Sequence, residues 1–199
     1  MIGTTDVQDA SDMAALVDGH ASALDDLIQR HGDKLFRYLI RLLQNKTDAS
    51  DVVQEAFVKV YQNRERFDPA HRFSTWMYAI ATNLAKDRFR WKSRHPEISI
   101  EATQAESSGT RGVFQSQQAN PSEAAIAKEE GDAVRQAIAE LPDELRAPLI
   151  LAEYEGLSQI EIGRVLNCSP KAVETRIYRA RQKVRETLLQ IDRIMRLER

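Results

Sequence analysis

Two stretches of this chain carry side chains suited to gripping a polyanion. The first is Pro170–Arg185, with six Lys or Arg against one Glu. If Val173, Ile177, Ala180 and Val184 turn inward on a helix, the outward face carries Lys171, Glu174, Thr175, Tyr178, Arg179 and Lys183. Arg176 and Arg181 lie beside that face. Polar groups at the start of such a helix can reach base edges, while later Arg and Lys neutralise phosphates. The second stretch is Lys86–Arg94, where Lys86, Arg88, Arg90, Lys92 and Arg94 are interleaved with Phe89 and Trp91. Cations can track phosphates while aromatic rings receive an unstacked base.

Chemistry of other kinds finds little support. His20, His31, His71 and His95 are scattered, and Cys168 has no neighbouring ligand in sequence. No phosphate-binding glycine loop or nucleophile motif occurs, so the chain is expected to be no enzyme and to hold no metal or cofactor.

The basic stretch 170–185 is positioned by what precedes it. Ser158-Gln-Ile-Glu161 reads as a capping box that opens a short helix through Leu166. Gly163 offers a minimal side chain where two helices cross, and Asn167 can take the left-handed conformation that ends the helix. Ser169-Pro170 then supplies a cap and a first helical residue. Helix, short turn and basic second helix over residues 158–185 make a DNA-binding helix-turn-helix.

Upstream, helical periodicity dominates. A helix is expected from about Leu24 to Gln44 with Ser22 as cap, and a second over Ala49–Asn63 capped by Asp48. The core stripe of the second is expected to be the apolar pairs Val52/Val53, Ala56/Phe57 and Val60/Tyr61, which leaves Asp51, Gln54, Glu55 and Val58 away from it. A third opens at Ser74 and runs into the basic-aromatic stretch, with Phe73 and Trp76 expected in packing rather than on a base. Farther along, Asp132–Glu140 and Asp143–Glu155 read as helices, the latter interrupted by Pro148 and ended by Gly156.

The whole is therefore expected to be all-α: two small helical domains joined by a flexible linker, the C-terminal one containing the helix-turn-helix. Residues 1–19 read as an acidic tail, 20–96 as the first domain, 97–127 as the linker, 128–192 as the second domain and 193–199 as a tail. Within the linker, a helix start is suggested from Pro121. Charge follows the same divisions. Net charge is −2 overall, but −4 over residues 1–22, +5 over 23–95, −4 over 96–131 and +1 over 132–199. Local field matters more than total charge for a polyanion, so two basic faces joined by an acidic connector remain compatible with DNA binding. The linker is poor in apolar residues and rich in Ser, Gln, Glu and Ala. No apolar run approaches the roughly 18–20 residues a membrane span requires, and the acidic start lacks the charge of a secretory signal. One cysteine forms no internal disulfide, so a cytoplasmic place is expected.

Three segments together resemble the extracytoplasmic-function (ECF) sigma factors of bacterial RNA polymerase, over roughly residues 20–192. DASDVVQEAFVKVYQN resembles the family's polymerase-binding segment, FSTWMYAIATNLAKDRFRWKSR its −10-reading and melting segment, and EGLSQIEIGRVLNCSPKAVETRIYRARQKVRE its −35-reading segment. The resemblance implies that Asp51, Gln54, Glu55 and Val58 dock on the clamp of the polymerase's largest subunit. It implies −10 DNA contacts from Asn83, Lys86, Asp87, Arg88, Arg90, Trp91, Lys92 and Arg94, with a flipped base held near Arg90–Pro96. It implies −35 contacts from Lys171, Glu174, Thr175, Arg176, Tyr178, Arg179 and Lys183. Its partners are core RNA polymerase, through the clamp and the flap of the second-largest subunit, promoter DNA and an anti-sigma factor; no membrane insertion is implied. The family often has Gly-Thr at Lys171-Ala172 and a basic residue at Glu174, so the −35 sequence does not carry over. A DNA-binding regulator with an N-terminal sensing or dimerisation domain is the second reading, and the two differ in what the first domain does.

Overall fold

A computed structural model describes residues 4–95 and 131–197. The linker expected over 97–127, with its helix start near Pro121, lies outside the described residues. Every regular element among the described residues is helical. In the first domain α2 (Ser22–Leu43) buries Leu27, Leu35, Tyr38, Leu39 and Leu42 along one face, as its apolar repeat requires. Ser22 is the first helical residue rather than a cap; Ala21 before it makes no side-chain capping bond. The helix ends where Gln44 takes a left-handed conformation, φ 56°.

The next helix, α3 (Lys46–Gln62), starts earlier than expected. Asn45, in an extended conformation, accepts a hydrogen bond from the Asp48 N–H at 2.7 Å. Asn45 is therefore the cap, and Asp48 sits inside the first turn, where a negative charge suits the helix dipole. A 3-10 turn (Arg64–Arg66) leads towards α4 (Phe73–Arg94). That helix begins one residue before Ser74. Phe73 is buried beside Phe67, Trp76 and His31, so aromatic packing places its start.

The acidic N-terminal segment differs most from expectation. It forms α1 (Thr4–Val17), docked on the first domain through Met13 and Leu16, both fully buried. Its acids hold it there. Asp9 accepts from Arg30 at 2.5 Å and lies 2.9 Å from His31 Nε2, and Asp12 accepts from Arg30 at 2.7 Å. Paired and hydrogen-bonded, these carboxylates tolerate burial.

The second domain comprises α5 (residues 131–139), α6 (Asp143–Glu153), α7 (Gln159–Leu166) and α8 (Pro170–Leu197). Helix α6 continues through the buried Pro148 and stops two residues short of Glu155. Gly156, at φ +66°, lets the chain reverse so that the Leu157 N–H reaches the Leu151 carbonyl. Helix α8 extends to Leu197, so the described part of the expected tail 193–199 is helical.

The domains touch each other. Arg146, almost fully buried on α6, donates to the carbonyls of Ile138, Ala139 and Leu141 at the end of α5. It also donates at 3.0 Å to Leu42 at the end of α2. One guanidinium thus serves the unsatisfied carbonyls of two helix C-termini in different domains. Nearby, Arg41 lies over the Tyr154 ring, 4.2 Å from its centroid. Tyr78 on α4 donates to Glu155 at 2.5 Å, and Arg72 joins Asp6 of α1 to Glu161 of α7.

Candidate nucleic-acid interface

The turn between α7 and α8 is built by short-range chemistry. Ser158 caps α7 and Glu161 reaches back to the Ser158 N–H at 2.8 Å, so both halves of the capping box are present. Burial pushes the Glu161 carboxyl up, but bonds from the Ser158 hydroxyl and N–H and from Arg72 outweigh it and hold the group below its ordinary value. Asn167 turns the chain at φ 52°, and the Cys168 N–H bonds the Gly163 carbonyl at 2.9 Å. A Cβ on Gly163 would stand 2.7 Å from the Cys168 carbonyl oxygen, so glycine is a steric requirement here. Ser169 then caps α8 through the Ala172 N–H.

Because Val173, Ile177 and Ala180 are buried against α6 and α7, the opposite side of α8 faces outward. Lys171, Glu174, Thr175, Tyr178, Arg179 and Lys183 are all exposed there, Tyr178 to 63%. Lys171 and Glu174 pair with each other at 2.8 Å, while the Thr175 hydroxyl donates to the Lys171 carbonyl. Arg176 lies partly buried beside Cys168 Sγ, at 3.5 Å. Arg181, beside that face, is bound to Glu153 of α6 at 2.6 Å.

On α4 the residues divide between two sides. Asn83, Asp87, Arg90, Trp91 and Arg94 are exposed, and Asp87 pairs with Arg90 at 3.1 Å. Phe89 packs against the core. Lys86 is half-buried. Arg88 and Lys92 turn instead towards α3, onto Asp51 and Asp48. Trp91 is 40% exposed, and the His95 imidazole stacks on its indole with centroids 4.9 Å apart and planes 25° from parallel. His95 was not singled out by sequence; the four-residue spacing to Trp91 was the available signal. Phe73 and Trp76 belong to the packed aromatic cluster, as expected.

On α3, Asp51, Gln54, Glu55 and Val58 form one exposed row, at the i, i+3, i+4, i+7 spacing of a helix face. Val58 is 52% exposed, an apolar group left in water beside three polar ones. Tyr61 prolongs the row, 42% exposed with the Arg64 guanidinium over its ring. Its pairing with Val60 in sequence predicts a place on the core stripe, but the helix rotation puts it outside. The α3 row and the α4 cations therefore share one domain and touch, whereas the α8 face stands on the other.

Comparison with known proteins decides what this arrangement is. A Sigma-70 region 2 family model matches residues 27–95, and a Sigma-70, region 4 model matches residues 131–184. ECF RNA polymerase sigma factor SigW of Bacillus subtilis is 37% identical over 175 residues, covering 85% of this chain and 91% of SigW. The chain belongs to the ECF sigma factor family. The ECF RNA polymerase sigma-E factor of Escherichia coli is 33% identical over 173 residues, covering 81% of this sigma factor and 90% of that one. Among solved structures, CnrH in complex with the cytosolic domain of CnrY shares 29% identity and superimposes with a TM-score of 0.66, over 93% of this chain and 99% of that one. The first domain of this sigma factor is thus region 2 rather than a sensing or dimerisation domain, and the helix-turn-helix belongs to region 4. Like the family, it is a transcription initiation factor that gives RNA polymerase its promoter specificity. No helix among its described residues is long and apolar enough to cross a membrane.

Proposed function

We propose that this sigma factor divides its work among the three faces described above. The α3 row, Asp51, Gln54, Glu55 and Val58 with Tyr61, docks on the clamp of core polymerase. Asn83, Lys86, Asp87, Arg88, Arg90, Trp91, Lys92 and Arg94 engage the −10 element, with the Trp91–His95 stack beside the unpaired strand. Lys171, Glu174, Thr175, Arg176, Tyr178, Arg179 and Lys183 engage the −35 element in the major groove. An open apolar groove of about 580 Å³, lined by Val134, Ile138, Leu149, Tyr154, Val184 and Leu188, suits a helix of the polymerase flap. Work with the polymerase places the protein in the cytoplasm, and the chain supplies binding energy while nucleotide chemistry stays with the polymerase.

The observation that carries this reading is the match of residues 27–95 to Sigma-70 region 2, within which α3 turns Asp51, Gln54, Glu55, Val58 and Tyr61 outward, opposite its buried face. CnrH is solved with the cytosolic domain of CnrY, and the sigma factor RpoE of Bartonella quintana with the anti-sigma factor NepR; an anti-sigma partner for this chain is in keeping with both. Reconstitution tests the whole reading: core polymerase with this chain alone should give promoter-specific run-off transcripts. Gln54→Ala should weaken core association several-fold in a fluorescence titration while leaving the fold intact. Absence of core binding at micromolar concentration would overturn the assignment.

A further inference from the structure

Two cations assigned above to −10 DNA are already occupied. Lys92 is ion-paired with Asp48, and both are largely shielded from water. Arg88 lies 3.4 Å from Asp51. The acids are three residues apart on α3 and the cations four apart on α4, so two packed helices present a two-rung ladder of opposite charge, 48 to 92 and 51 to 88. Sequence spacing alone did not show it, because the partners lie some forty residues apart in the chain.

We propose that Asp48 and Asp51 act as an internal substitute for DNA phosphate, holding Lys92 and Arg88 on α3 in the free protein until polymerase and promoter strand displace them. The proposal rests on the reading of the α4 cations as −10 contacts. A carboxylate and a phosphate compete for the same ammonium or guanidinium, so each rung subtracts from what the free protein gains on meeting a single strand. Asp51 also belongs to the row assigned to polymerase. A partner that engages Asp51 from outside loosens its hold on Arg88 and frees that cation for DNA. Linkage then requires the converse: a strand that takes Arg88 strengthens the polymerase contact. The lower rung, Asp48 with Lys92, lies outside the docking row and reports on masking alone.

The test is a double-mutant cycle in the full chain, read by fluorescence anisotropy with a short labelled oligo-dT strand. Asp48→Asn should raise affinity about two- to five-fold at low salt, the worth of one partly exposed ion pair. It should also steepen the dependence of log K on log salt by about 0.7, one further phosphate contact on a single strand. In the Lys92→Ala background the same change should bring no gain. An equal gain in both backgrounds would mean that Asp48 merely repels DNA, and no gain in either would mean that Lys92 was never masked; each overturns the proposal. If Asp48→Asn lowers the melting temperature enough to obscure binding, Asp51→Asn against Arg88→Ala runs the same cycle on the upper rung. The polymerase arm compares Arg88→Ala with and without core: the loss should be larger in the holoenzyme, and an equal loss removes the coupling. If Arg88→Ala and Lys92→Ala leave holoenzyme binding to the strand unchanged, the −10 assignment fails. If they weaken it while the cycle is flat, the masking alone fails.

Discussion

Arg179 shows what a single exposed cation can be asked to do. It stands on the outward face of α8, one turn beyond Thr175, where a guanidinium can meet phosphate or a guanine edge. Arg179→Ala is expected to weaken binding to −35 duplex and to lower the salt slope by about one, measured by anisotropy across a salt series. Unchanged affinity and slope would mean that α8 meets DNA by another face. Gly163 makes the opposite point, since what matters there is an absent atom. Its missing Cβ leaves room for the Cys168 carbonyl at the crossing of α7 and α8. Gly163→Ala should cost about 1–3 kcal/mol, because backbone rather than a flexible side chain must move. A drop in the urea midpoint, with weaker −35 binding, would show it.

At the scale of elements, the start of α7 is a charged device. Glu161 is held below its ordinary value by Ser158 and Arg72, so its ionised form is favoured in the folded state. A carboxyl of depressed folded pKa contributes stability above its unfolded value and loses it as pH falls through the folded one. The contribution is therefore complete at neutral pH and disappears on the acid side of 4.5, the ordinary glutamate value. Glu161→Gln keeps an acceptor for the Ser158 N–H but not the charge. Denaturation midpoints should separate the two proteins at pH 7 and converge near the acid end; a constant gap would place the effect in packing instead. Helix α1 is likewise an element made by charge and burial together. Its acids read as a tail in sequence, but Asp9 and Asp12 meet Arg30 and His31 only when Met13 and Leu16 are buried.

Across the whole molecule, the domains meet through few polar contacts. Arg72 reaches Asp6 and Glu161 from a half-exposed position, and such pairs contribute at most about 1 kcal/mol each. Tyr78 is more enclosed. Burial, followed by the neighbouring Glu155 carboxylate, pushes its hydroxyl well above the ordinary tyrosine value, so it remains a donor throughout the accessible pH range. Arg72→Ala combined with Tyr78→Phe should loosen the docking of the domains. The radius of gyration from small-angle scattering should increase. No change would show that Arg146 and the apolar contacts suffice.

Much of this architecture was legible in the chain because it depends on neighbours in sequence. The capping box at Ser158, the left-handed Asn167, the Ser169-Pro170 start and the inward row of α8 all follow from spacing within one or two turns. So does the exposed row on α3, including Val58. Whatever joins distant segments was not legible. The conversion of an acidic tail into α1, the outward turn of Tyr61, the capture of Arg181 by Glu153 and the bridging of two helix ends by Arg146 each depend on which surfaces pack. The same holds for Arg88 and Lys92. Sequence alone determined that they are cations on a basic-aromatic helix; tertiary structure decided that they face two carboxylates. Local hydrogen bonds and helical period are encoded within a few residues, whereas the partner of a long charged side chain is set by the approach of elements far apart in the chain.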